Sequence, residues 1–107
     1  MQISSNIRDD NTIVSIAGRL DSGTAAEAEK QLLALVDGGA RKMVLNCAGL
    51  EYVSSAGLRV MLSVAKRMGG LQGRLTLAAP AAQVREILDI AGFGDILPVF
   101  ATVEEAL

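Results

Sequence analysis

The chain has 107 residues, half of them hydrophobic, with a formal net charge of −2, no histidine and one cysteine. This length supports one domain, residues 1–107, whose aliphatic core is large enough to fold without metal or disulfide. The missing histidines and single cysteine exclude a zinc cage and an internal disulfide, and the scattered basic residues give no sign of nucleic-acid binding.

The first part of the chain predicts a hairpin. Apolar and polar residues alternate over residues 2–8, which indicates a half-exposed strand. Residues 9–11 have turn composition, and residues 12–17 predict the second strand. We expect residues 18–23 to form a loop.

A helix is predicted next. Thr24 and Glu27 have the spacing of a capping box, and the apolar residues that follow recur at helical intervals to about Val36. Residues 37–39 end the helix. Its predicted buried stripe is Ala25, Ala28, Leu32, Leu35 and Val36.

Residues 41–47 predict a central strand, because the apolar run 43–45 does not alternate with polar residues. Cys47 is expected to be a small buried residue of this strand rather than a reactive thiol. After a loop at 48–53, a second helix is predicted, with Val60 on its exposed side. The predicted buried arc of that helix is Leu58, Met61, Leu62, Ala65 and Met68.

The last third predicts a strand at 75–78, a helix from Pro80 to Gly92, a strand at 96–100 and a final helix at 102–107. Thr102 and Glu105 again have capping-box spacing. The element order β-β-α-β-α-β-α-β-α indicates an α/β fold with a mixed, mostly parallel sheet.

The residues argue against catalysis. A nucleophilic serine needs a base within reach, and the chain has no histidine to serve as one. Ser63 and Lys66 match a Ser-x-x-Lys pattern, but they lie on the polar face of a predicted surface helix. The glycine-rich stretch 69–73 runs from helix to strand, the opposite of a phosphate-binding loop. We therefore expect no enzyme activity, cofactor or metal.

The most informative feature is the pair Ser54 and Ser55, placed where the second predicted helix begins. Serine is a common helix N-cap, but a helix has only one cap residue. The free amides and the dipole at a helix N-terminus also favour negative charge. The second serine is therefore open to a regulatory role, with phosphorylation as the chemistry.

Several short motifs together resemble the STAS domain family, from end to end of the chain. More narrowly, they resemble its stand-alone anti-sigma factor antagonists, which implies a single-domain STAS fold. The motifs are Gly18-Arg19-Leu20-Asp21, Val44-Leu45-Asn46, Val53-Ser54-Ser55-Ala56-Gly57-Leu58, Ala91-Gly92-Phe93 and Glu104-Glu105-Ala106-Leu107.

The resemblance implies partner switching. In the family, the unphosphorylated antagonist binds an anti-sigma factor that is also a serine kinase, which frees a sigma factor. The kinase phosphorylates the antagonist, and a serine phosphatase restores the binding form. The alternatives are another STAS role, as a subunit of a transport ATPase complex or in a switch without a sigma factor, and a small nucleotide-binding or hydrolytic protein.

The resemblance also assigns site residues. Ser55 falls on the phosphate acceptor, while Ser54 occupies the position of a family aspartate and is a rival acceptor. Asp21 falls on a loop carboxylate that contacts the kinase. Arg59 lies one helical turn after Ser55, as a phosphate partner or a plain surface residue. The predicted partner-binding residues are Asp21, Ser54, Ser55, Ala56, Gly57, Arg59 and Val60.

Two further expectations complete the prediction. No apolar stretch approaches the roughly 20 residues that cross a bilayer, and the first residues lack a signal sequence, so we expect a cytoplasmic protein without membrane insertion. The sequence does not determine the oligomeric state, and the expected state is a monomer.

Overall fold

Five strands form one mixed sheet in the computed structural model, which describes residues Met1–Leu107. Four α-helices and one short 3-10 helix connect or flank the strands. The elements are β1 (Gln2–Arg8), β2 (Asn11–Leu20), α1 (Ala25–Asp37), β3 (Lys42–Val53), α2 (Ser55–Gly70), β4 (Arg74–Ala78), α3 (Ala82–Ile90), a 3-10 helix (Phe93–Asp95), β5 (Val99–Phe100) and α4 (Val103–Ala106).

The strands lie side by side in the order β1-β2-β3-β4-β5. The first two form an antiparallel hairpin, and the three remaining pairs are parallel. The sequence prediction of a mostly parallel sheet with one antiparallel strand is confirmed.

The sheet has two unequal sides. On one side, α1, α2 and α3 pack over it and form a core of 21 buried residues. On the other side, α4 alone covers a small cluster of Ile13, Val44, Ala78 and Ala106. Because neighbouring residues of β3 face opposite sides, the run 43–45 is buried on both faces, as predicted.

Two strands are longer than predicted. Residues 18–20 belong to β2, and residues 48–53 belong to β3, where a loop was expected in both cases. The two extensions pair with each other, from Ala17 opposite Gly49 to Leu20 opposite Val53. Two register shifts interrupt this ladder, so the side chains do not alternate regularly and the sequence pattern resembles a loop.

The helices α1 and α4 begin where the sequence predicts, but only α4 has the predicted side-chain cap. Thr102 caps α4 by accepting a hydrogen bond from the Glu105 amide at 3.2 Å. Thr24 precedes α1, but its hydroxyl donates to the Arg19 carbonyl at 2.9 Å and accepts from the Asp21 amide at 3.0 Å. The predicted capping box at Thr24 is therefore wrong, because the preceding loop uses this hydroxyl.

The final strand is shorter than predicted. It contains only Val99 and Phe100, while Ile96 and Leu97 follow the 3-10 helix in a turn. Leu97 is buried and Ile96 is 55% exposed, so the apolar run 96–100 is divided between core and surface. No helix of the fold is both long enough and apolar enough to span a bilayer.

Candidate functional site

The junction between β3 and α2 holds the two serines. The Ser54 amide donates to the Leu20 carbonyl at 2.9 Å, which fixes the junction to the end of β2. Ser54 has an extended backbone, and its hydroxyl accepts from the Gly57 amide at 3.3 Å. Ser54 is therefore the N-cap of α2, and Ser55 is the first residue inside the helix.

Ser54 and Ser55 differ in exposure. Ser54 is half-buried and its oxygen is engaged in capping, whereas Ser55 is exposed to solvent. The first turn of α2 contains no acidic residue, and the exposed Arg59 lies one turn further along. The helix dipole and the unpaired first amides make this position favourable for an added negative charge.

Gly57 explains how closely α2 approaches the sheet. A Cβ atom at this position would lie 2.7 Å from both the Leu20 carbonyl oxygen and a methyl group of Val53. Such contacts are too short for any side chain, so only glycine fits between the helix and the strand ends. Gly57 is buried, and its part in the site is to position the helix start.

The neighbouring strand ends bring three more side chains to the site. Arg19 is paired with Tyr52 across β2 and β3, and its guanidinium lies 4.4 Å from the centre of the tyrosine ring. The same guanidinium forms an ion pair with Asp21 at 3.5 Å. Asp21 also accepts a hydrogen bond from the Gly23 amide at 3.0 Å, which shapes the loop before α1.

Arg19 and Tyr52 were not among the predicted site residues. Arg19 was placed in a loop motif, and Tyr52 was placed in a loop without a role. Their juxtaposition depends on the β2–β3 register beyond Cys47, where two register shifts occur. Had residues 18–20 and 49–53 been recognised as paired strands, the register would have placed the two side chains together.

A shallow groove of about 400 Å³ runs between α1 and α2 beside these residues. Small side chains form its walls near the helix starts, and charged ones border it. The lining residues are Ala25, Ala26, Glu29, Ala56, Arg59, Val60 and Ser63.

The prediction that Val60 is exposed is wrong. Only 4% of its surface is accessible, because α1 packs against the side of α2 that carries it. The sequence prediction gave α2 one buried face, directed at the sheet, and did not include a second buried face against another helix. Val60 therefore supports the groove from below, and its side chain offers almost no surface to a partner.

The structure thus brings most of the predicted residues to one end of the sheet. Asp21 and Ser54 follow the adjacent ends of β2 and β3, where the Ser54 amide bonds to the Leu20 carbonyl, and Ser55, Ala56 and Arg59 follow on α2. No three of the acidic or thiol side chains come together in a way that could hold a metal ion. The arrangement presents the exposed Ser55 hydroxyl at a helix N-terminus, on a surface that carries both positively and negatively charged side chains.

The fold and this junction define a STAS domain. The family model for the STAS domain matches residues 2–106, and the chain belongs to this family. A relative from Bordetella bronchiseptica, named as a candidate anti-sigma factor antagonist, BtrV, is 41% identical over 106 residues, which cover 99% of this chain and 91% of the relative.

Solved structures have the same fold. A candidate anti-sigma factor antagonist from Thermotoga maritima superposes with a TM-score of 0.92 at 23% identity, covering 97% of this chain and 90% of its own. The anti-sigma factor antagonist SpoIIAA in its unphosphorylated form gives 0.81 at 21% identity, with 98% and 92% coverage. The phosphorylated form of SpoIIAA, from Bacillus, gives 0.73 at 20% identity, with 98% and 96% coverage.

Proposed function

We propose that this protein is an anti-sigma factor antagonist that works by partner switching. Its unphosphorylated form binds an anti-sigma factor through the surface formed by Asp21, Ser54, Ser55, Ala56 and Arg59. The observation that carries the proposal is the exposed Ser55 hydroxyl, which is free of the capping bond that occupies Ser54. The names of its relatives support the part of the proposal that makes it an anti-sigma factor antagonist.

The switch is a phosphoryl transfer in which this protein is the substrate. The anti-sigma factor acts as a serine kinase: the Ser55 oxygen attacks the γ-phosphorus of ATP, ADP leaves, and the hydroxyl proton passes to a base of the kinase. A serine phosphatase reverses the modification by hydrolysis, releasing inorganic phosphate. This protein contributes position and exposure rather than catalytic groups.

The physical effect of the phosphate differs between the free protein and the complex. Phosphorylation adds roughly −1.5 to −2 charges and three acceptor oxygens. In the free protein these charges face solvent and the favourable end of the helix dipole, so the fold does not have to change. In an interface fitted to a neutral hydroxyl, an unpaired phosphate costs on the order of 4 kcal/mol, about a thousandfold in affinity.

Ser55 is the favoured acceptor over Ser54. A kinase must reach the oxygen of its substrate, and Ser54 is half-buried with its oxygen bonded to the Gly57 amide. Arg59, exposed one turn away, supplies a positive charge near a phosphate on Ser55. The neutral Ser54, in the position of a family aspartate, leaves no fixed negative charge beside the acceptor.

The test compares Ser55→Asp with Ser63→Asp. Ser63 lies two turns further along α2, so its replacement adds the same charge to the same helix away from the proposed acceptor. We expect Ser55→Asp to weaken binding of the anti-sigma factor kinase of the same organism at least a hundredfold, measured by calorimetry, and Ser63→Asp to weaken it less than fivefold. Equal effects would contradict the proposal.

Mass mapping tests the acceptor itself. After incubation with the kinase and ATP, the wild-type protein and Ser54→Ala should carry phosphate on Ser55, and Ser55→Ala should remain unmodified. Phosphate on Ser54 in the Ser55→Ala protein would identify Ser54 as an acceptor and correct the assignment.

A further inference from the structure

The outer edge of β1 is an unprotected strand edge. β1 pairs only with β2, and the ladder between them runs without a register shift from Gln2 to Arg8. Natural proteins usually protect such edges with proline, lysine, a bulge or an inward-pointing charge. The only charge among the seven residues of β1 is Arg8, at the end of the strand. The strand has no proline, lysine or bulge, and Ile7 is 73% exposed.

We propose that β1 pairs with β1 of a second copy of this chain in antiparallel fashion, with the two-fold axis passing through Ser5. This register pairs Ser5 with its own copy, Ile3 with Ile7 and Ser4 with Asn6. It is the register that uses all seven residues of both strands. The two five-stranded sheets then form one continuous sheet of ten strands.

The side chains of β1 are complementary to themselves in this register. Ile3 and Ile7 lie on the side of the sheet that carries α1, because Ile3 is paired with the buried Ile16 of β2 and packs against the core. Each Ile3 therefore meets an Ile7 from the other copy. On the opposite side, Arg8 meets the neutral Gln2, so no like charges are brought opposite each other.

The surface next to Ile3 has room for the incoming isoleucine. An open groove of about 230 Å³ lies between β1 and α1, lined by Ile3, Ser4, Ser5, Gln31, Ala34 and Leu35. Ile7 of the second copy lies over this groove in the proposed register. The same contact repeats on the other side of the axis, which removes both exposed Ile7 side chains from water.

The expected association is weak. A seven-residue strand pair with two isoleucine contacts buries less than the roughly 1,200 Å² at which stable protein interfaces begin. The dimer should therefore be populated at about 500 µM and largely absent at about 1 µM, where the protein is the monomer expected from its sequence.

Sedimentation velocity over this concentration range tests the contact. Wild type should shift from monomer toward dimer, and Ile7→Lys should stay monomeric. The matched control is Ile90→Lys, because Ile90 is a similarly exposed isoleucine (81%) on α3, away from β1. Wild type that remains monomeric at the highest concentration, or equal behaviour of the two variants, would overturn the proposal.

Cysteine pairing tests the register and stays informative even if Ile7→Lys fails to fold. Residues directly opposite on antiparallel strands have Cβ atoms about 4.5–5.5 Å apart, close to disulfide distance, whereas diagonal neighbours are about 7–8 Å apart. Under mild oxidation Ser5→Cys should form a covalent dimer at least tenfold faster than Asn6→Cys. Both positions are exposed, and Cys47 is buried and does not compete. Equal cross-linking rates would refute the two-fold axis at Ser5.

Discussion

Ser54 and Ser55 carry the same side chain on either side of a helix boundary. Ser54 has an extended backbone (φ −93°, ψ 176°), which aims its oxygen at the Gly57 amide, whereas Ser55 already belongs to the helix and faces solvent. A one-residue difference in position therefore separates a structural hydroxyl from an available one. We therefore expect replacement of Ser54 to reduce stability without preventing phosphorylation, and replacement of Ser55 to prevent phosphorylation without reducing stability.

Replacing Ser54 should affect stability, and replacing Ser55 should not. Ser54→Ala removes the cap of α2 and should lower the free energy of unfolding by about 1 kcal/mol, while Ser55→Ala should change it by less than about 0.5 kcal/mol. Ser54→Asp should restore most of the loss, because a carboxylate accepts the same bond. Urea denaturation measures all three, and a larger loss for Ser55→Ala would contradict the assignment of the cap.

At the scale of elements, α2 is oriented by two neighbours at once. It packs over the sheet through Met61 and Met68 and against α1 on its flank, and its buried residues are Gly57, Val60, Met61, Val64 and Met68. Periodicity predicted the helix and two of these residues. Periodicity did not predict the residues of α2 that are buried against α1, because it identifies an apolar face of a helix but not which neighbouring elements cover the helix.

Gly57 determines how near the helix start can come to the strand ends. Gly57→Ala should lower the free energy of unfolding by about 1–3 kcal/mol, because the new methyl group would collide with Leu20 and Val53. Gly69 is the matched control, since it lies in the same helix and a methyl group added there would meet no atom within 4 Å apart from its chain neighbours and the local helix backbone.

Gly69→Ala should raise the free energy of unfolding by about 0.5–1 kcal/mol through helix propensity alone. Thermal and urea denaturation of both variants give the comparison. If Gly57→Ala were also stabilising, the close approach of α2 to β2 would be wrong, and with it the described position of Ser55.

For the whole molecule, local signals predicted the order of elements and the parallel sheet. They also predicted that residues 43–45 are covered on both faces, since three apolar residues in a row on a strand need cover on each side. The site was predicted only in part, because Arg19 and Tyr52 meet through a ladder with register shifts between distant segments. Such pairing depends on tertiary contacts that a single-segment pattern does not contain.

Because β3 is covered on both faces, its residue Cys47 is fully buried, and this burial makes the free energy of unfolding depend on pH. Cys47 lies in the main core with no exposed surface, and this burial raises the pKa of its thiol from the ordinary value of 9.0 to about 12. The folded protein keeps the proton at pH values where the unfolded chain loses it. The stability that the buried, protonated thiol contributes is fully present below pH 9 and is lost between pH 9 and 12. Over this range the free energy of unfolding falls by at most about 1.4 kcal/mol per pH unit.

Comparison with Cys47→Ala isolates the effect of the thiol on the free energy of unfolding, because the variant has no thiol to titrate. At pH 7 the variant should be less stable than wild type by about 1–2 kcal/mol, since a buried group is truncated. The difference should be constant between about pH 6 and 8 and should shrink above about pH 9 as the unfolded wild-type chain ionises. Urea denaturation at about pH 7, 9 and 10.5 measures it. A difference that stays constant over that range would mean that the thiol ionises as easily in the folded protein as in the unfolded chain, which its complete burial in the main core does not allow.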